Sequence, residues 1–98
     1  MTLDIPEVWY TFAELFHQDF LVEHPDFVTG LRLVLEGLSA DSRLDLLQFL
    51  QTILGSGMSS AELVAIWEGT ETSIIVPGDD IEKFFQLIAS ELESSLPP

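Results

Sequence analysis

The stretch from Ser39 to Leu54, SADSRLDLLQFLQTIL, constrains the fold of this chain more than any other. Between Leu44 and Leu54 only Asp45, Gln48, Gln51 and Thr52 are polar; Leu44, Leu46, Leu47, Phe49, Leu50, Ile53 and Leu54 are apolar. At about 100° per residue these apolar side chains sweep roughly 220°, about twice the stripe that a surface helix needs. A helix so coated in hydrocarbon has to meet neighbours on several sides. Ser39 and Asp41 offer N-cap chemistry at its start, and Gly55 and Gly57 offer C-cap chemistry at its end, so both boundaries are written locally. A central apolar helix over residues 40–54 is therefore the expected centre of the fold.

The segments around it also read as helices. Pro6 suits a first helical turn, with Asp4 and Glu7 favouring the positive helix end. Val8, Trp9, Phe12, Leu15 and Phe16 then fall within an arc of about 120°, which predicts a helix to about His17. An acidic junction, Gln18 to Glu23, follows. Pro25 opens the next helix, where Phe27, Val28, Leu31, Val34, Leu35 and Leu38 share another arc of about 120°, with Gly30 at its edge as a place of close approach. After the central helix, Ser59-Ser60-Ala61-Glu62 matches the capping box and starts a short helix through Leu63, Val64, Ile66 and Trp67, which Gly69 stops. Thr70 to Gly78 is β-branched, ends in Pro-Gly and reads as an extended loop. Asp79 and Asp80 then lead into a helix whose stripe is Ile81, Phe84, Phe85, Ile88 and Leu92, with Ser94 to Pro98 expected to fray. The fold class is all-α: a single-domain bundle of about five helices over residues 1–98.

A chain of 98 residues is long enough for one core, which buries about two thirds of the unfolded surface without covalent staples. With no cysteine, disulfides, thiolate metal sites and a thiol nucleophile are all excluded. The acidic start, MTLDIPEVWY, lacks the basic and apolar regions of a secretory signal, and no apolar run reaches the roughly 18 residues of a membrane span, so a cytoplasmic protein is expected. Charge is the strongest global signal. Seventeen acidic residues against Arg32, Arg43 and Lys83 give a formal charge of −14. That balance repels nucleic-acid phosphates and anionic membranes, and it draws in basic partners with encounter rates raised about 10- to 1000-fold at low salt.

Four constellations bear on chemistry. His17, Asp19, Glu23 and His24 crowd the first junction, but their spacing is not that of a zinc site, and His17 and Asp19 equally suit backbone hydrogen bonds where a helix ends. Asp41-Ser42 resembles the Asp-Ser at which acyl carrier proteins bear phosphopantetheine; in that family a Leu follows the Ser, whereas Arg43 follows here, and ordinary capping explains the same residues. Trp9, Trp67, Phe84 and Phe85 read either as a ligand pocket or, from their helical spacing, as core. Finally, Glu68, Glu71, Asp79, Asp80 and Glu82 bracket the long loop that holds Ile74, Ile75 and Val76, which gives an apolar centre with an acidic rim or a solvated loop folded back on the core. A phosphate cradle and a nucleophile elbow are missing, Lys83 is the one lysine, and no enzyme, cofactor or metal is expected.

The order of elements resembles a known family. Phe16-His17-Gln18-Asp19-Phe20 at the close of an aromatic helix, a Pro-initiated helix, Ser39 with Leu46 and Leu47, and the step from Gly57 to Leu63 are similar to the small immunity proteins of bacterial contact-dependent growth inhibition, the CdiI type. The likeness runs from about Trp9 to Leu92. It departs after Glu68, where a cysteine and tyrosines are common in that family and Thr70 to Val76 stand here. What it implies is an immunity protein that stays in the bacterial cytoplasm and binds, one to one, the C-terminal toxin domain of a CdiA protein, frequently a nuclease and hence basic. On the charge pattern, the expected partner-binding residues are Glu68, Glu71, Ile74, Ile75, Asp79 and Asp80, with Asp19 and Glu23 as a second acidic patch. An acyl-carrier-like protein modified at Ser42, or an acidic adaptor or nucleic-acid mimic for another basic protein, are the alternatives.

Overall fold

In the computed structural model the chain is described at residues 5–16, 20–23, 26–70 and 76–96, the side chain of Leu21 excepted. The described residues form helices α1 (Glu7–Glu14), α2 (Phe20–Glu23), α3 (Phe27–Glu36), α4 (Ala40–Gly55), α5 (Ser60–Glu68) and α6 (Ile81–Ser95). The all-α bundle expected from the sequence is what folds.

The local signals act where they were read. Ser39 Oγ accepts the Ser42 amide at 3.1 Å and starts α4. At the other end Gly57, at φ 77, takes the left-handed turn that breaks the helical path. The capping box of α5 is complete: Glu62 N–H donates to Ser59 Oγ at 3.2 Å and Ser59 N–H donates to the Glu62 carboxylate at 3.3 Å. Asp26 stands at the N-cap position of α3 without a side-chain bond to the helix backbone, and the Thr29 hydroxyl donates to its carboxylate at 2.6 Å. Pro77 to Asp80 closes a turn through Asp80 N–H to Pro77 C=O at 2.9 Å, and α6 follows.

Three features differ from the sequence reading. Helix α1 ends at Glu14, short of His17, which lies outside the described residues. The acidic junction contains a helical turn of its own, α2, because Phe20 is anchored between Phe16 and Phe27 with ring centroids 4.7 and 6.0 Å away. Helix α6 runs on to Ser95 instead of fraying at Ser94, since Arg43 on α4 donates from Nη1 to the Ser95 carbonyl at 3.0 Å.

The core is aromatic at its centre. Trp9, Phe12, Phe16, Trp67 and Phe85 are fully buried, and Phe84 is half-buried. Trp9 stands 5.2 Å from Phe49, 5.7 Å from Trp67 and 5.4 Å from Phe85, which brings α1, α4, α5 and α6 to one point. The ring contacts are mostly tilted or edge-on, the arrangement that aromatic quadrupoles favour. These rings are therefore core, and the pocket reading of Trp9, Trp67, Phe84 and Phe85 falls away.

Helix α4 packs most extensively against α6 and also meets α1, while α6 touches α3, α4 and α5. The central position is thus shared by α4 and α6. On α4, Leu46, Leu47, Phe49, Leu50 and Ile53 are buried, but Leu44 is 45% exposed. The buried part of the apolar sweep is accordingly about 160° wide, and Leu44 lies beyond its edge. Gly30 is buried within α3. The radius of gyration, 12.8 Å, is that of one compact domain of this length, about 13 Å.

The two sides of α4 give a direct test. Leu50→Ala removes a fully buried side chain and is expected to cost about 2–5 kcal/mol in urea unfolding. Leu44→Ala is expected to stay within about 0.5 kcal/mol. Equal losses at the two positions would mean that α4 is covered on both sides.

Candidate functional site

The surface is built by helices that turn hydrocarbon inward and carboxylates outward. Among the described residues no polar or charged residue is fully buried, and most of the described acids are exposed. Glu7 and Glu14 project from α1, Asp41 and Asp45 from α4, Glu62 and Glu68 from α5, and Glu82 and Glu93 from α6.

Two of the three cations are spent within the fold. Arg32 on α3 clasps Glu91 on α6 with two bonds, Nε to Oε2 at 2.8 Å and Nη2 to Oε1 at 3.3 Å. The hydrogen bond from Arg32, aided by its charge, holds the Glu91 carboxyl below its ordinary pKa despite the opposing effect of burial. The Arg32 guanidinium is raised in return, first by the hydrogen bond to Glu91 and then by the charge of Glu91. Arg43 engages the Ser95 carbonyl, so both arginines sit at the negative end of the α6 dipole. Its Nε is enclosed with no partner among the described residues. Lys83, on the first turns of α6, is exposed.

The expected partner-binding residues fall into two groups. Glu68 ends α5, and Asp79 and Asp80 lie exposed in the turn before α6. Gly78 in that turn lies against Val64, one helical turn before Glu68, so these acids share the α5–α6 corner. Glu23 is exposed at the end of α2. Asp19, Glu71, Ile74 and Ile75 lie outside the described residues, as do His17 and His24. Val76, at the loop's end, is buried, so it joins the core and not the rim.

Ser42 is held inside the α4 cap. Its amide donates to Ser39 Oγ, and its own Oγ accepts from the Ser39 hydroxyl at 3.0 Å. Between α3 and α6 a cleft of about 170 Å³ is lined by Arg32, Leu35, Glu36, Glu91, Ser94 and Ser95. It is smaller than the roughly 300–1000 Å³ usual for small-molecule sites. Among the described residues no group of three or more His, Cys, Asp or Glu is placed to hold a metal ion, and no helix is long and apolar enough to cross a membrane.

Sequence reasoning missed the exposed apolar side chains. Leu15, expected to face inward, is 41% exposed, and Tyr10 and Val22 are exposed at 40% and 78%. On α1 the outward arc is Glu7, Tyr10, Thr11, Glu14 and Leu15, whereas Val8, Trp9, Phe12, Ala13 and Phe16 face in. The position of Tyr10, opposite Phe12 on the wheel, was the available signal. Nothing in the sequence pointed to the Arg32–Glu91 and Arg43–Ser95 pairs, whose members are 59 and 52 residues apart.

Compared with protein-family models, with curated proteins and with solved structures, the chain matches none.

Two measurements follow from this charge arrangement. Because net repulsion acts on the folded chain, raising NaCl from about 10 mM to about 0.5 M is expected to raise Tm; a falling Tm would mean that attraction between opposite charges dominates. Arg32 depresses the folded-state pKa of Glu91, so the pair stabilises the fold above the ordinary carboxyl value of 4.5 and is lost as pH falls through the lower folded value. At high salt, Glu91→Gln is therefore expected to be less stable than the parent at pH 7, and the difference is expected to shrink as pH falls below 4.5.

Proposed function

We propose that this chain is a non-catalytic immunity protein of the contact-dependent growth inhibition type. It acts in the bacterial cytoplasm, where it binds the C-terminal toxin domain of a CdiA protein, a basic nuclease, and blocks its active site. The observation that carries this reading is the charge arrangement. Arg32 and Arg43 are drawn into contacts with Glu91 and Ser95, while exposed carboxylates extend over α1, α4, α5, α6 and the turn at Asp79 and Asp80.

A nuclease that grips phosphates presents cations around its catalytic centre. An inhibitor with a charge of −14 meets that surface with the sign of the substrate. The acids at the α5–α6 corner, Glu68, Asp79 and Asp80, contribute to the field that guides encounter, and the bulk of the helical body then excludes nucleic acid from the occupied face. Asp19, Glu71, Ile74 and Ile75 belong to the same proposal on sequence grounds.

Native mass spectrometry of the protein from its own host is expected to show a one-to-one complex with a basic polypeptide that high salt splits. With that polypeptide in hand, Glu68→Lys, Asp79→Lys and Asp80→Lys together are expected to slow association at least tenfold at low salt and to flatten its salt dependence. An association rate indifferent to salt in the parent chain would overturn the reading. A pantetheine adduct on Ser42 would replace it with a carrier function.

A further inference from the structure

The chain has two methionines and no cysteine, and Met58 carries the one sulfur atom among the described residues. It lies in the turn between α4 and α5, directly after Gly57, and is partly exposed while packed against the buried core. The approach to it is bare. Gly55, Ser56 and Gly57 are all exposed, and at both glycines the space where a side chain would stand is open. Trp9 and Trp67, by contrast, are fully buried. Among the described residues, a small oxidant at the folded surface therefore reaches the Met58 thioether before either indole.

Met58 also occupies a structural position. It directly precedes the N-cap Ser59, whose Oγ accepts the Glu62 amide at 3.2 Å and whose amide donates to the Glu62 carboxylate at 3.3 Å. Those bonds are the polar half of a helix start. The apolar half comes from the residue before the N-cap, which pairs with the fourth helical position. In α5 that position is Leu63, 2% exposed. Helix α5 has nine residues, too few to persist without its cap and its packing. It bears Trp67, whose ring meets Trp9, Phe16, Phe84 and Phe85, so a loosened start is felt in the aromatic centre.

We infer that Met58 is a modification site for hydroperoxide oxidants, and that its sulfoxide loosens the start of α5. With hydrogen peroxide, a sulfur lone pair attacks one peroxide oxygen; the S–O bond forms as the O–O bond breaks. The sulfur gives up two electrons, the proton on the transferred oxygen passes to the departing hydroxide, and water leaves. The product is polar where the thioether was apolar, so it gives up its contact with the core in favour of water. Methionine sulfoxide is open to enzymatic reduction, which makes the change reversible. This inference is independent of the proposed binding of a toxin.

The test treats the full folded chain with hydrogen peroxide and then locates the added oxygen by mass spectrometry. Trypsin acting on the unfolded product cuts after Arg32, Arg43 and Lys83, which places Met1 and Met58 on different peptides. Met58 is expected to oxidise in the folded chain at no less than about one tenth of its rate in urea. A thioether reached only through global unfolding would react at least about a thousandfold more slowly, and that result would overturn the site.

The oxidised chain is expected to melt about 5 °C below the parent and to exchange its amides faster over residues 60–68. The two methionine sulfoxide reductases, one for each epimer, are expected to restore both properties. Met58→Leu keeps the apolar volume, so it is expected to hold the parent Tm and lose the response to peroxide. Met58→Gln is expected to lower Tm with no oxidant present. Oxidation of Met58 without a change in Tm, or an equal fall of Tm in peroxide-treated Met58→Leu, would overturn the inference.

Discussion

Trp9 is the residue on which the other elements depend. Its indole lies within ring contact of Phe12, Phe49, Trp67 and Phe85, and its Nε1–H reaches the Ile66 carbonyl at 3.4 Å, so a short N-terminal helix is joined to α4, α5 and α6 at a single side chain. An eight-residue helix is too short to persist alone in water. It exists because the buried rings hold it, and aromatic pairs of this kind contribute about 0.5–1.5 kcal/mol each beyond area burial. The outward side of α1 is presented to solvent only because its inward side is so completely engaged.

Electrostatics work against this core. A chain with a charge of −14 repels itself most when compact, and the fold answers with few but well-placed cations. Arg32 and Arg43 reach from α3 and α4 to the last turns of α6, where carbonyl dipoles and Glu91 both favour positive charge. The same two contacts that fasten the last helix also withdraw positive charge from the rest of the surface. Stability and acidity are therefore linked through the two arginines.

Much of this was legible in the sequence. The capping signals at Ser39 and at Ser59 with Glu62, and the stripe Ile81, Phe85, Ile88 and Leu92, are local chemistry, and they placed α4, α5 and α6. What escaped notice depends on distant partners. A wheel cannot say that Leu15 and Leu44 sit just past the edge of cover, because that edge is set by the neighbouring helix. Phe20 nucleates a helical turn only with Phe16 and Phe27 beside it. Of the residues expected to meet a partner, Glu23, Glu68, Asp79 and Asp80 are exposed, while Asp19, Glu71, Ile74 and Ile75 lie outside the described residues.

The scarcity and placement of the cations have a further consequence, for proteolysis. A protease that cuts after lysine or arginine finds only Arg32, Arg43 and Lys83 in 98 residues, and all three are inside helices, α3, α4 and α6. A helical backbone does not fit an extended protease cleft, so cleavage has to wait for local opening. Opening α3 breaks the Arg32–Glu91 clasp, and opening α4 exposes Leu46, Leu50 and Ile53. To trypsin-like enzymes, then, the folded chain offers almost no substrate, and its lifetime against them is a measure of how seldom its core comes apart.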